Sequence, residues 1–221
     1  MANPNVEHII TKDGSSTLYS PGFHEHYHSI HGAIRESMHV FIQSGLDLLE
    51  DKSEIRLLEM GFGTGLNALL TYFCKGNRHI HYTGIEAYPL SVEQVMNLNY
   101  PKESGFDGAE TIFRKMHEAE WNLPVSIGEG FTLEKVHTQL QNFESEKAFD
   151  LVYFDAFAPT SQPELWEDAI LAKIYEMLSH GGIFVTYSAK SSVRRSLIAA
   201  GFGVEKIPGP PGKREMLRGR K

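Results

Sequence analysis

From about residue 54 onward, short apolar runs alternate with amphipathic stretches, a rhythm that few folds accommodate. Parallel strands covered on both faces read as continuous apolar runs, and each needs a crossover segment before the next strand can begin. The pattern therefore predicts an α/β domain built on a Rossmann-like, doubly wound and mainly parallel sheet. Strands are expected at "IRLLEM", "HIHYTGIEA", "FTLEKV", "FDLVYFD" and "IFVTYS". Helices are expected at "GLNALLTYFCKG", closed by Gly76, at "PLSVEQVMNLNY", at "PELWEDAILAKIYEML", stopped by Gly181 and Gly182, and at "SVRRSLIAA", ended by Gly201. Residues 101–130 fit neither template, and "GVEKI" with "EMLRGR", joined by "PGPPGK", predict a terminal antiparallel pair. Residues 1–53 lack the rhythm. They read as a small N-terminal extension that covers one end of the sheet through Tyr27, Val40 and Phe41, leaving 54–221 as the domain proper. A chain of 221 residues, 41% of them hydrophobic, suits one core.

Several function classes drop out early. The single cysteine, Cys74, permits no internal disulfide, and "MANPNVEHII" has no signal pattern. No apolar run reaches the roughly 18 residues of a membrane span. A reducing, cytoplasmic setting without membrane contact is the expectation. The stretch "FHEHYHSIHGAIRESMHVFIQSGL" holds His24, His26, His28, His31 and His39, but no cysteine and no HExxH-type pair accompanies them, so no metal is expected. A formal net charge of -7 argues against a protein that coats nucleic acid. The charge is segregated, however. From Lys190 onward nine Lys and Arg face two acids, whereas the first 189 residues carry 12 against 26, about -14. The C-terminal end is thus either a solvated tail or a confined contact for a polyanion.

The stretch "LLEMGFGTGLN" sets Gly61, Gly63 and Gly65 between a strand and a helix, where missing side chains let a ligand approach the backbone. The dinucleotide fingerprint fails here, because its third small residue falls on Leu66. Glu59 would also repel a pyrophosphate and favour an ammonium group. Glu86 follows the first glycine by 25 positions, where a carboxylate in such folds accepts from ribose hydroxyls. A ribose, an amino acid end and no phosphate describe S-adenosylmethionine.

In a doubly wound sheet ligands sit beyond the carboxyl ends of the strands, where strand order reverses. Asp155, ending "FDLVYFD", then faces the same pocket as the glycine loop. It would stabilise a cofactor's positive end, orient an acceptor amine, or both; its bland alternative is a helix N-cap. The tight "AFAP" that follows fits a need to hold an acceptor at near-attack distance.

"EMGFGTGLN", "GIEAYPLS", "DLVYFDAFAP", "PELW", "VRRSL" and "GPPGKREML", with "YHS", "IRES" and "HVFI" upstream, resemble the methyltransferase domain of the MnmC-type enzymes. The similarity spans about residues 22–219. It implies a class I S-adenosylmethionine-dependent methyltransferase fold that methylates the exocyclic amine of 5-aminomethyl(2-thio)uridine at the tRNA wobble position. By the same resemblance Glu59, Gly61, Gly63, Gly65, Asn67, Glu86 and Asp155 bind the cofactor, with Tyr27 and Ser29 as further cofactor or acceptor contacts. Asp155 is the central active-site acid, orienting the amine and receiving its proton. Arg194, Arg195, Lys213 and Arg214 meet the tRNA. Two departures stand out. "EKVHTQL" offers His137 but no adjacent acid for an adenine amine, and the chain ends without the flavin-dependent domain of larger members, so a separate flavin-dependent enzyme is expected to supply the aminomethyl intermediate. Rival readings are an aminopropyl transferase or small-amine methyltransferase, against which the C-terminal basic excess weighs, and a non-catalytic RNA-binding or interaction module.

Overall fold

The computed structural model describes residues 6–221, and what the sequence suggests of residues 1–5 lies outside it. The N-terminal segment forms a small antiparallel sheet of β1 (Glu7–Ile10), β2 (Ser16–Ser20) and β3 (Glu25–His26). A short helix, α1 (Ala33–Ser37), continues into a π-helical turn at Met38–Gln43 and a 3-10 turn at Leu46–Leu49.

The main sheet comprises β4 (Glu54–Met60), β5 (His79–Glu86), β6 (Pro124–Gly128), β7 (Phe131–His137), β8 (Phe149–Phe154), β9 (Leu178–Thr186), β10 (Gly203–Pro208) and β11 (Glu215–Arg220). Its order is β10-β11-β9-β8-β4-β5-β7-β6. Strands β7, β5, β4, β8 and β9 run parallel, while β10 and β11 form the expected antiparallel pair and β6 adds an antiparallel edge. The chain leaves β4 toward β5 on one side and returns to β8 on the other. The reversal between β4 and β8 opens a crevice at their carboxyl ends.

The crossover helices are α2 (Leu66–Cys74), α3 (Val92–Met96), α4 (Tyr100–Ser104), α5 (Ala109–Glu118), α6 (Asp168–Met177) and α7 (Ser191–Ala200). Three boundaries differ from the sequence reading. "PLSVEQVMNLNY" does not make one helix: Ser91 and Gln94 cap α3 reciprocally, and Pro101 sits in the first turn of α4, where its ring prevents continuation from α3. The unassigned 101–130 stretch becomes α4, α5 and β6. Gly181 and Gly182 do not stop α6, which ends at Met177. They lie within β9 as a bulge, pairing shifting from Phe149–Leu178 to Leu151–Ile183, and a Cβ at Gly182 would meet the Ser179 carbonyl at 2.8 Å.

Alternation along the strands supplies two cores. Leu57, Tyr82, Tyr153 and Val185 face α2 and the extension, whose Phe41 ring lies 5.0 Å from Tyr153. Leu58, Ile85, Phe154 and Phe184 face α6 and α7. Val40 and Phe41 are buried as anchors, and Tyr27 packs partly buried at the crevice. No helix among the described residues is long and apolar enough to cross a membrane.

Candidate active site

The loop after β4 is held by its neighbours on both sides. Gly61 and Phe62 both donate to the Ile85 carbonyl at 3.0 Å, and a Cβ on Gly61, at φ +87°, would stand 2.8 Å from the Asp155 carbonyl. Gly63, at φ +50°, donates to Glu86 Oε2 at 2.9 Å. The other Glu86 oxygen accepts from Tyr88 N at 2.8 Å. The carboxylate keeps lone-pair capacity for a further donor. Burial raises the Glu86 pKa against the pull of these backbone N–H groups. Gly65 differs from the sequence expectation. It does not line the cavity, and its missing side chain makes room for His117, whose Nε2 would lie 2.8 Å from a Cβ there.

At the mouth of the crevice one amide joins two acids. Asn67 Nδ2 donates to Glu59 Oε1 and to Asp155 Oδ2, each at 2.8 Å. Glu59 is fully buried behind Asn67 and reaches the cavity only through it. Burial pushes its carboxyl well above the usual range, opposed by the Asn67 hydrogen bond and reinforced by the Asp155 charge. Burial likewise pushes Asp155 up to about 7, with Glu36 adding to the rise and Asn67 and Lys213 opposing it. Asn67 Oδ1 is buried without a partner among the described residues, and the Tyr82 hydroxyl is buried beside Glu59.

Asp155 belongs to two cavities at once. The first lies against Gly61, Gly63, Asn67 and Glu86. The second is walled by Glu25, Ser29, Glu36, Tyr187 and Lys213. Tyr27, His28, Asp155, Ala156 and Phe157 line both. The segment after β8 is pinned carbonyl by carbonyl, Tyr187 Oη donating to Ala156 O and Trp166 Nε1 to Phe157 O, each at 2.8 Å. Phe157 in turn stacks on Phe23 at 4.7 Å and meets Tyr27 edge-on at 5.3 Å. The "AFAP" segment is therefore a rigid partition. The capping alternative for Asp155 fails, since its side chain bonds Asn67 and the next helical turn begins only at Pro163.

The extension supplies much of this lining. His28 is buried, its Nε2 2.8 Å from Thr64 Oγ1, and burial lowers its pKa to about 4. The other histidines are dispersed: His39 bonds the Pro208 carbonyl and His31 meets the Gly212 turn. Among the described residues no three His, Cys, Asp or Glu are grouped to hold a metal. Ser29 N donates to Glu36 Oε2 at 2.8 Å, and Lys213 Nζ lies 3.0 Å from Glu36 Oε1 and 3.9 Å above the Tyr187 ring. Lys213, expected on the RNA-facing strip, thus turns toward the second cavity. Arg195 and Arg214 are exposed and Arg194 half-buried, none in an ion pair among the described residues. Lys206 and Arg218 are paired with Glu215 and Glu205. Lys190, Lys213 and Arg214 border a further groove beside Tyr187. His137 ends β7 with its backbone N on Asn122 Oδ1 and its ring 5.9 Å from Trp121, lining neither cavity.

Sequence reasoning missed Glu36, Tyr187, Phe23 and Thr64. Glu36 sits within the quoted "IRES", but its partner is 177 positions away. Only the fold brings them together.

The family profile described as S-adenosyl-L-methionine-dependent methyltransferase matches residues 110–221. The chain is 33% identical over 222 residues to the tRNA 5-methylaminomethyl-2-thiouridine biosynthesis bifunctional protein MnmC of Leptospira borgpetersenii, covering 92% of this chain and 33% of that protein. It is 32% identical to the protein of the same name from Aromatoleum aromaticum, covering 95% and 34%. The chain thus spans about a third of the length of these relatives. The crystal structure of MnmC2 from Aquifex aeolicus superposes with a TM-score of 0.77 at 28% identity, over 99% of this chain and 72% of that one. With the parallel order β7-β5-β4-β8-β9 and the glycine loop at its reversal, these matches settle the family: the chain belongs to the S-adenosyl-L-methionine-dependent methyltransferases, and S-adenosylmethionine is its cofactor.

Proposed function

We propose that the protein methylates the exocyclic amine of 5-aminomethyl(2-thio)uridine at the tRNA wobble position. The observation that carries this reading is the pair of cavities meeting at Asp155, one against the glycine loop and one beside a basic groove. The names of the relatives point to the same substrate. They do not favour an aminopropyl transferase, a small-amine methyltransferase or a silent module.

The first cavity suits the cofactor. Gly63 leaves room where a Cβ would press on Tyr27 at 3.1 Å, and the unpartnered Asn67 Oδ1 and the paired acids match a cationic ligand with spare donors. Gly61, Gly63, Asn67, Glu86, Asp155 and Tyr27 would hold it, with Glu86 accepting from ribose hydroxyls and Glu59 acting through Asn67. When bound, S-adenosylmethionine supplies an electrophilic methyl group. Asp155 then does two things for an acceptor in the second cavity. It accepts a hydrogen bond from the amine, aiming the nitrogen lone pair, and it takes up the proton the nitrogen must lose. Its raised pKa makes it a better base than an ordinary aspartate, and the rigid partition keeps its position fixed. Ser29 supports the chamber by fixing Glu36. Arg194, Arg195 and Arg214 form the outer contact with tRNA phosphates.

This reading keeps residues 1–53 as an extension serving the site of a 54–221 domain. It also places the protein in the cytoplasm with its tRNA, downstream of a flavin-dependent activity that exposes the amine. The test is incubation of the purified protein with labelled S-adenosylmethionine and bulk tRNA from cells blocked at the aminomethyl stage. Label in the wobble nucleoside is expected; cofactor binding without RNA labelling would reject the substrate.

A further inference from the structure

We propose that Lys213 reads the acceptor base, donating to an electronegative ring substituent next to the amine, and is not a phosphate contact. This rests on the acceptor assignment above and deepens it.

Lys213 is an exposed residue bordering both the chamber and the basic groove, but its ammonium is held at the chamber wall. Its ammonium lies 3.0 Å from Glu36, a carboxylate only 7% exposed, and its other side rests on the face of Tyr187. Glu36 is itself fixed by the Ser29 N–H. The loop carrying the lysine is clamped to the extension. His39 Nε2 lies 2.8 Å from the Pro208 carbonyl, Lys213 N donates to Pro210 O at 2.9 Å, and Gly212, at φ +90°, abuts the His31 ring so closely that any side chain there would collide. Swinging Lys213 out toward a phosphate would leave Glu36 buried and unpaired, a costly state.

An ammonium carries three N–H groups. Among the described residues its one hydrogen-bond acceptor is Glu36, and the Tyr187 ring occupies a second direction, so one donor remains for a ligand at the chamber wall that Lys213 forms. Among the described residues the other charged groups lining that chamber are acids, Glu25, Glu36 and Asp155, and Lys213 is its one Lys or Arg. A ligand that satisfies it presents a donor to Asp155 and, close by, an acceptor to Lys213. In 5-aminomethyluridine the 4-carbonyl is on the ring carbon adjacent to the one bearing the aminomethyl group, which is such a pair. The neighbouring Arg214, exposed like Lys213, differs in having no ion pair among the described residues, so consecutive cations divide the work: one reads the base, the other meets the backbone.

The two roles separate kinetically. Lys213→Gln, Lys213→Arg and Arg214→Gln are compared with wild type on aminomethyl-bearing tRNA at several salt concentrations, with melting temperature and cofactor affinity recorded for each. Lys213→Gln should lower kcat/KM by roughly tenfold to a hundredfold, mostly in kcat, leaving the salt slope of KM unchanged. Arg214→Gln should raise KM and reduce that slope by about one. Lys213→Arg is the safeguard if Lys213→Gln is unstable. An arginine serves a phosphate as well as lysine does, but its planar fork pairs with Glu36 and stacks on Tyr187 in place of a compact ammonium with freely directed donors, so it should lose kcat. A Lys213→Gln protein with wild-type kcat, or with a reduced salt slope, would overturn the inference, as would full activity of Lys213→Arg. If wild type itself leaves aminomethyl-tRNA unmethylated, the proposed function fails and takes this inference with it.

Discussion

Asn67 Nδ2 stands 2.8 Å from Asp155 Oδ2, and the same nitrogen holds Glu59 on its other side. One neutral amide thus keeps two buried carboxyls apart at the point where the two cavities meet. Asn67→Ala should cost about 1–3 kcal/mol, since Glu59 loses its donor in a site closed to water. Asn67→Asp sets a third acid beside them and should be worse at pH 8 than at pH 5, where protonation relieves the repulsion. Urea unfolding at both pH values decides this; equal losses would mean that charge is not what the amide manages.

The Asp155 carboxyl, raised to about 7 by burial and by Glu36, makes folding stability depend on pH. Its pKa in the unfolded chain is near 4, so between roughly pH 4 and 7 the folded state binds the extra proton. The stabilisation is complete below that window and lost as pH rises through 7. Asp155→Asn should therefore flatten the decline in stability between pH 5 and 8 and lower turnover by roughly a hundredfold or more. A variant that declines as wild type does would place the titration elsewhere.

Removing the Glu36 charge should act on that same group. Glu36→Gln takes away one cause of the raised pKa, so Asp155 should ionise at lower pH and the acidic limb of the pH–rate profile should move down. Burial, the larger cause of the rise, remains and keeps the shift partial, while Asn67 and Lys213 go on opposing it. An unmoved limb would remove Glu36 from the control of the acid.

Gly63→Val should abolish cofactor binding in a folded protein, because φ +50° is strained for a branched side chain and its Cβ would press on Tyr27. Gly76→Ala is the control: its φ is +59°, but nothing lies within 4 Å. The alanine should cost only about 1–2 kcal/mol of backbone strain and leave cofactor affinity intact. Calorimetry on both variants separates strain from occupancy; retained affinity in Gly63→Val would reject the site.

Arg194→Glu with Arg214→Glu should raise the KM for tRNA, from a wild type whose salt slope is on the order of two to four. Lys206→Gln, which removes a cation already paired with Glu215, should change neither KM nor slope. If it weakens tRNA binding as strongly as the arginine pair, the footprint extends onto the β10–β11 ribbon.

The parallel sheet was legible because its strands are apolar on both faces, and Gly61, Glu86 and Asp155 because they lie at strand ends where this topology places ligands. The split between α3 and α4 was not, since an apolar period runs through Asn97 to Asn99 and only the seating of Pro101 breaks it. Gly181 and Gly182 carry the same letters as a helix stop and a strand bulge, and the pairing with Phe149 and Leu151 chooses between them. Charge counting found the basic C-terminal end but could not tell Lys213 from Arg214, because direction comes from the clamp on Gly212 and from Glu36. Gly65 illustrates the converse: a glycine in a binding loop that serves the packing of His117.

Glu36 and Lys213 also set an order of assembly. Synthesis runs from the N-terminus, so every residue of the cofactor cavity, ending with Gln162, has been made before Tyr187 and Lys213 exist. Joining positions 36 and 213 closes a loop of most of the chain, a slow and entropically costly contact. A polypeptide made only as far as position 212 has every residue of the first cavity but lacks one wall of the second. The glycine-loop cavity is thus complete in the chain before its neighbour, whose wall waits for Tyr187 and Lys213.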